Sequence, residues 1–279
     1  MGGFEALGQQ IGRDRLFLVG GPCVIESEEL AFEVASHLKE ACARFDVPFV
    51  FKSSYDKANR TSALSYRGPG LDRGLSVLAR IREKLGVPVL TDVHSPSEVG
   101  PVSAVVDILQ IPAFLVRQTD LVTAAGRTGK PVNLKKAQFL SPADMGQVIE
   151  KVRKTGNDRI ILTERGTQFG YNNLVVDMRS IPIMSEFGCP VVFDATHSVQ
   201  LPGARGTSSG GERRFVATLA CAAVAAGAHG VFIETHPDPA KALCDGPNSL
   251  PLPEVAELLE KLLAIHYAVN KGRAAARRL

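Results

Sequence analysis

Eight short apolar runs, at 16–20, 49–52, 87–91, 107–110, 132–135, 160–163, 191–194 and 230–234, alternate with longer amphipathic stretches along the whole chain. Runs this short, rich in Val, Ile, Leu and Phe, suit strands rather than helices. Their near-continuous apolar character fits parallel strands covered on both faces. The intervening stretches at 27–44, 71–85, 117–128, 142–155, 211–226 and 253–271 read as helices, with shorter helices after Pro96 and Ser180. The first opens on Ser27 with Glu28 and Glu29 behind it, which suits a capped helix start. Eight strand–helix units are the count of a closed (β/α)8 TIM barrel.

A doubly wound open sheet is the competing arrangement. It gathers its site at one switch point, whereas a barrel collects every strand's C-terminal end at one mouth. Polar motifs follow nearly every strand here, which favours the barrel. No linker or repeat divides the chain, so residues 1–279 are expected to form one α/β domain, a length ordinary for this fold. Long loops at 53–70, 164–179 and 198–211 follow strands and so fall on the catalytic side.

Lys and Arg exceed Asp and Glu by only three, so no strong basic field argues for nucleic acid. Five dispersed cysteines without a CxxC pair argue against a disulfide framework. No signal-peptide pattern opens the chain, and no apolar stretch approaches the length that spans a bilayer. The expectation is a cytoplasmic protein with no membrane partner. The basic residues at 273–278 read as a solvated helix end.

The segment KSSYDKANRTS at 52–62 holds three cations and four Ser or Thr hydroxyls directly after the second strand. Phosphate needs both compensating charge and directed donors. Lys135 and Lys136 end the fifth strand, Arg165 follows the sixth, and Gln110 ends the fourth with Arg117 a few residues on. Cations converging on one mouth would repel one another without anions, which points to two phosphorylated ligands. Cys23, His197, Glu234 and Asp245 form a second constellation, because closure sets the last strand beside the first. Thiolate, imidazole and two carboxylates suit a divalent ion such as Zn²⁺, Fe²⁺ or Mn²⁺. A lone cysteine is more often an inert buried residue, and spacing alone leaves both readings open.

At these positions the chain resembles the 3-deoxy-D-manno-octulosonate 8-phosphate synthases, within the superfamily that includes the aldoheptulosonate phosphate synthases. The supporting strings are GPCVIES at 21–27, FKSSYDKANRTS at 51–62, SYRGPGL at 65–71, TDVH at 91–94 and QIPAFLVRQTDL at 110–121. TERGTQFGYNNLVVDMRS at 163–180, FDATHSVQLPG at 193–203 and ETHPDPAKALCDGPNSLPL at 234–252 continue them. The resemblance implies a barrel enzyme of lipopolysaccharide biosynthesis. It would condense phosphoenolpyruvate with D-arabinose 5-phosphate and water, releasing phosphate.

The same resemblance gives Lys57, Lys135 and Arg165 to phosphoenolpyruvate, with Lys52, Ser54 and Gln110 near it. Asn59 would contact the sugar, and Arg60 and Thr61 its phosphate. Arg117 would come from a neighbouring subunit of a homotetramer. Cysteine at position 23 resembles the metal-dependent class, with His197, Glu234 and Asp245 completing the ligands. The string CDGP at 244–247 resembles the metal-independent form. His197, Asp245 and His94, together with Lys57, are the candidate catalytic and proton-handling residues. The rivals are a heptulosonate 7-phosphate synthase, a Schiff-base aldolase using Lys52 or Lys135, and a silent phospho-sugar binding protein. A two-aldehyde assay, borohydride trapping and phosphate release, respectively, separate them.

Overall fold

The computed structural model of the protein describes residues 2–12, 15–60, 62–203 and 209–276. Eight parallel strands make the barrel: β1 Phe17–Gly21, β2 Phe49–Lys52, β3 Val89–Asp92, β4 Ile108–Ile111, β5 Val132–Lys135, β6 Ile160–Glu164, β7 Val191–Asp194 and β8 Gly230–His236. Each pairs with its sequence neighbour, and β8 pairs with both β7 and β1, so the sheet closes. Helices α1 Glu28–Arg44, α2 Leu71–Leu85, α3 Pro96–Val105, α4 Thr119–Arg127, α5 Met145–Arg153, α6 Ser180–Ser185, α7 Val216–Ala225 and α8 Glu254–Ala276 lie between and after the strands. The expected (β/α)8 barrel is the observed fold.

Strand alternation sorts the side chains into two cores. Leu18, Phe51, Leu109, Leu134 and Val231 point outward into the layer shared with the helices. Phe17, Val19, Val50, Leu90, Ile108, Ile161, Val192 and Phe232 point inward and fill the barrel's lower half. Toward the C-terminal ends the inward positions turn polar, with Lys52, Asp92, Gln110, Asn133, Lys135, Thr163, Asp194 and Glu234 all buried. That change of chemistry along one set of strands places a reactive floor above an apolar plug.

The plug has a part that the apolar-run analysis does not anticipate. Phe4–Ala6 and Gln9–Ile11 pair as an antiparallel hairpin. Its Phe4, Ala6 and Ile11 join the inner apolar cluster. Gln9 Oε1 accepts the Phe49 N–H at 2.6 Å. The Gly2 N–H donates to Gly188 O at 2.9 Å. Both anchors lie at the N-terminal ends of strands, so the hairpin covers the mouth opposite the polar floor.

Ser27 caps α1 as expected, its Oγ accepting the Leu30 N–H at 3.1 Å. Helix α2 spans the expected residues and stops at Gly86, which takes φ 62°. Three helices start later than periodicity suggests. A 3-10 turn at Ala113–Leu115 precedes α4. Before α5, Ser141 and Asp144 close a turn on themselves, with Ser141 Oγ donating to Asp144 Oδ2 at 2.8 Å. Before α7, Gly210–Gly211 is drawn into a short hairpin with Gln200–Leu201.

Helix α2 also braces the loop after β2. A methyl group built on Gly74 would lie 2.3 Å from Tyr55 Cβ and 3.1 Å from its Cα. Tyr55 is buried, and its hydroxyl donates to Glu98 at 2.7 Å. Gly74→Ala is therefore expected to cost about 1–3 kcal/mol through overpacking, read as a lower urea midpoint. An unchanged midpoint would show that the helix–loop contact yields freely.

Candidate active site

A cavity of about 620 Å³ opens at the C-terminal ends of the strands. Lys52, Lys57, Asn59, Arg60, His94, Gln110, Lys135, Arg165, His197 and Asp245 line it, drawn from six strands or the loops that follow them, and from the loop beyond β8. Ser54, Cys23 and Glu234 are buried among these residues rather than on the lining. Thr61 lies outside the described residues. Arg117 is exposed and does not line its own chain's cavity; its carbonyl accepts Lys151 Nζ at 2.9 Å.

The charges are arranged differently from the unpaired cluster that the sequence suggests. Lys135 Nζ sits 2.6 Å from Asp194 and Lys52 Nζ 3.3 Å from Glu234. Lys52 also lies 3.9 Å from Asp92, and Lys57 lies 3.9 Å from Glu234. Buried carboxylates already answer three of the cations, so mutual repulsion does not by itself demand bound anions. Lys136 leaves the mouth altogether. Its ammonium is buried against Glu164, three carbonyls and Thr167. Arg165 is a cavity cation with a buried donor left open. It donates to Gln200 Oε1 at 3.0 Å, while its buried Nη1 has no hydrogen-bond partner among the described residues. A guanidinium with a spare buried donor suits a carboxylate or phosphate.

The carboxylates are held ionised by their surroundings. Burial pushes Asp92 upward, but the charges of Lys52 and Lys57 outweigh it and hold the acid below the usual carboxylate range. Asp194 behaves likewise, with burial opposed by His197 and Lys135. Asp92 also anchors a polar chain across the floor. It accepts from Ser54 and from Gln110. Asn133 donates to Gln110 Oε1 at 2.8 Å, and Thr163 donates to Asn133 Oδ1 at 2.7 Å. This chain fixes Gln110 before any ligand arrives. Phe232 forms the apolar base, with Lys135 Nζ 4.1 Å above its ring centroid.

The four expected metal ligands come together around Asp245. Cys23 Sγ is 3.3 Å from Asp245 Oδ2, and His197 Nε2 is 3.5 Å from it. His197 Nε2 is also 3.6 Å from Glu234 Oε1. Two triads emerge that share this aspartate: Cys23, Cys244 and Asp245, and His197, Glu234 and Asp245. Cys244 is thus a fifth donor, its sulfur 2.8 Å from that of Cys23. Arg60 donates to the Cys244 sulfur at 2.8 Å. Glu234 Oε2 is fully buried and has no hydrogen-bond partner among the described residues. An orphaned carboxylate oxygen in a triad with imidazole and a second carboxylate, the latter shared with two thiols, fits a borderline divalent ion.

The chain matches the family model described as the DAHP synthetase I family over residues 5–269. The chain belongs to this family. It is 71% identical over 270 residues to the 2-dehydro-3-deoxyphosphooctonate aldolase of Syntrophobacter fumaroxidans, covering 97% of this chain and 94% of that protein. Proteins with the same name from Desulfotalea psychrophila and an Azoarcus species are each 60% identical, over 92% and 94% of this chain and 91% and 95% of theirs. Within this DAHP synthetase I barrel, sequence reasoning passed over Asp92, Asp194, Gln200 and Phe232. The aspartates carried a usable signal: each ends a strand in register with inward residues two positions earlier, Leu90 and Val192. Gln200, which joins Arg165 to Asp245 at 3.0 and 3.3 Å, had none beyond its place in a loop.

Proposed function

We propose that the chain condenses phosphoenolpyruvate with D-arabinose 5-phosphate and water, giving 3-deoxy-D-manno-octulosonate 8-phosphate and inorganic phosphate. The observation that carries this reading is that Lys57, Lys135 and Arg165 line one cavity together with Asn59 and Arg60. The name borne by relatives at 60–71% identity agrees with it.

In this reading Lys57, Lys135 and Arg165 hold the enol ester, while Asn59, Arg60 and Thr61 hold the sugar phosphate. Lys52, Ser54 and Gln110 are pre-set by Asp92 to meet the ester's polar groups. Fixing both substrates lowers the entropic part of the barrier. The enol C3 bonds to the aldehyde carbon, water adds at C2, and the C2–O bond to phosphate breaks. The bridging oxygen leaves with phosphorus. His197, Asp245 and His94, which line the cavity, would move protons at the aldehyde oxygen or the attacking water.

Cys23, His197, Glu234 and Asp245 would hold a divalent ion, as Zn²⁺, Fe²⁺ or Mn²⁺, making the enzyme metal-dependent. When bound, the ion supplies Lewis acidity and orientation. Residues 1–279 would act as one catalytic domain, working as a homotetramer in the cytoplasm. A neighbour's Arg117 would complete each sugar-phosphate site, which fits its position outside its own cavity. No helix among the described residues is long and apolar enough to cross a membrane.

Incubation with phosphoenolpyruvate and either D-arabinose 5-phosphate or erythrose 4-phosphate tests the reading. Phosphate release is expected with the five-carbon aldehyde, and ¹⁸O placed in the bridging position should appear in that phosphate. Preference for the four-carbon aldehyde would assign a heptulosonate synthase instead. Label retained in the sugar product would refute C–O cleavage.

A further inference from the structure

We propose that Asp194 is a positioning residue that couples the ion site to the phosphoester site through a single carboxylate oxygen. The inference rests on the function proposed above. It begins from geometry at the end of β7, where Asp194 is completely buried. Its Oδ1 accepts the His197 backbone N–H at 2.8 Å. Its Oδ2 lies 2.8 Å from His197 Nδ1 and 2.6 Å from Lys135 Nζ.

The Nδ1 contact defines how the imidazole is used. A carboxylate accepts hydrogen bonds, so Nδ1 keeps its proton and Nε2 is the nitrogen whose lone pair becomes available to a cation once its own proton is lost. Nε2 is the atom that faces Glu234 and Asp245, at 3.6 and 3.5 Å. A carboxylate behind a ligating histidine fixes its tautomer and ring orientation and strengthens it as a donor. Asp194 therefore has the geometry of a support for the His197 ligand.

The same Oδ2 also restrains Lys135, one of the cations assigned to phosphoenolpyruvate. Two donors thus compete for one oxygen. An anion that draws the ammonium into the cavity leaves Oδ2 to the imidazole alone, and His197 becomes the better ligand. Conversely, a cation on Nε2 makes Nδ1–H a stronger donor, draws Oδ2 toward the ring and loosens its hold on Lys135. Both directions have one sign, as reciprocal linkage requires. Ion and phosphoester should each tighten the binding of the other.

Zn²⁺ affinity, measured by competition with a chromogenic chelator with and without phosphoenolpyruvate, tests this in the full-length protein. For the unsubstituted chain, phosphoenolpyruvate is expected to tighten Zn²⁺ binding about fivefold or more, within the usual range of couplings. Asp194→Asn should weaken Zn²⁺ binding about 10- to 100-fold and abolish the phosphoenolpyruvate effect. Lys135→Met should do the opposite to basal affinity and tighten Zn²⁺ binding, because the carboxylate then serves His197 alone. General structural damage would move both variants the same way. The idea is overturned if Asp194→Asn binds Zn²⁺ within twofold of the parent, if it keeps the phosphoenolpyruvate effect, or if Lys135→Met weakens the ion. Should Asp194→Asn not fold, the parent and Lys135→Met still decide. Failure of the functional reading itself would look different, as no phosphate release from the two substrates by the unsubstituted protein.

Discussion

Cys23→Ala is expected to lower both ion affinity and turnover by about a hundredfold or more, since even residues that only support a metal ligand cost 10- to 100-fold when changed. The far-ultraviolet circular dichroism spectrum should stay that of the parent. Removing the ion with a strong chelator should reproduce the loss, and adding it back should restore only the parent. The donor geometry adds a refinement. Cys244 lies 2.8 Å from Cys23, so a sulfur donor remains after the first replacement. Cys23→Ala with Cys244→Ser should therefore bind the ion more weakly than Cys23→Ala alone.

Proton competition gives the expected pH dependence. Burial pushes the Cys23 thiol well above its ordinary range, and the adjacent Cys244 and Glu234 push it further. Burial pulls His197 down, but Asp194 and Glu234 outweigh it and leave the imidazole raised. Both donors must lose a proton to bind a cation, so apparent ion affinity should fall as pH falls. Full parental turnover by thoroughly stripped protein would dispose of the proposed metal requirement.

The strands were legible because the barrel asks little of each beyond a short apolar run. β2, β5 and β7 occupy the expected residues, since a charged or polar side chain ends each run where the cavity begins. Helix α2 was equally clear, with a strong apolar face and a glycine stop. The N-terminal hairpin was hidden because two three-residue strands leave too few alternations to rise above a coil reading. In the site, the cations were readable as a class, but their counter-ions were not. Asp92 and Asp194 each look like an ordinary polar strand end, and only closure of the sheet reveals which lysine they face. For Lys136 the period of two was the missing argument. It follows Lys135, which points inward, so its own side chain turns to the helix side and pairs with Glu164.

Lys52→Met is expected to destabilise the fold by about 3–5 kcal/mol, the usual cost of removing one partner from a buried charge pair. Methionine keeps much of the lysine stem's volume, so the change removes charge and donors more than packing. The ammonium reaches Glu234 at 3.3 Å, Asp92 at 3.9 Å, Ser54 Oγ at 3.0 Å and the Cys23 carbonyl at 3.2 Å. Its loss takes the nearest lysine from two buried carboxylates, leaving Glu234 with His197 Nε2 at 3.6 Å and Lys57 at 3.9 Å, and Asp92 with the neutral donors Ser54 and Gln110. Urea denaturation should read the loss directly. Glu234→Gln in the Lys52→Met background should recover part of it, because the second change removes a charge the first left with fewer partners. The pH dependence carries the same sign. Burial raises Asp92 and Glu234, but the nearby cations lower both below their ordinary values. A depressed folded-state value stabilises at pH above the unfolded value of about 4 and is lost as pH falls through the folded one. The gap between parent and Lys52→Met should thus be full at neutral pH and narrow on acidification below about pH 4. A gap that stays constant across that range would place the cost in packing instead of charge.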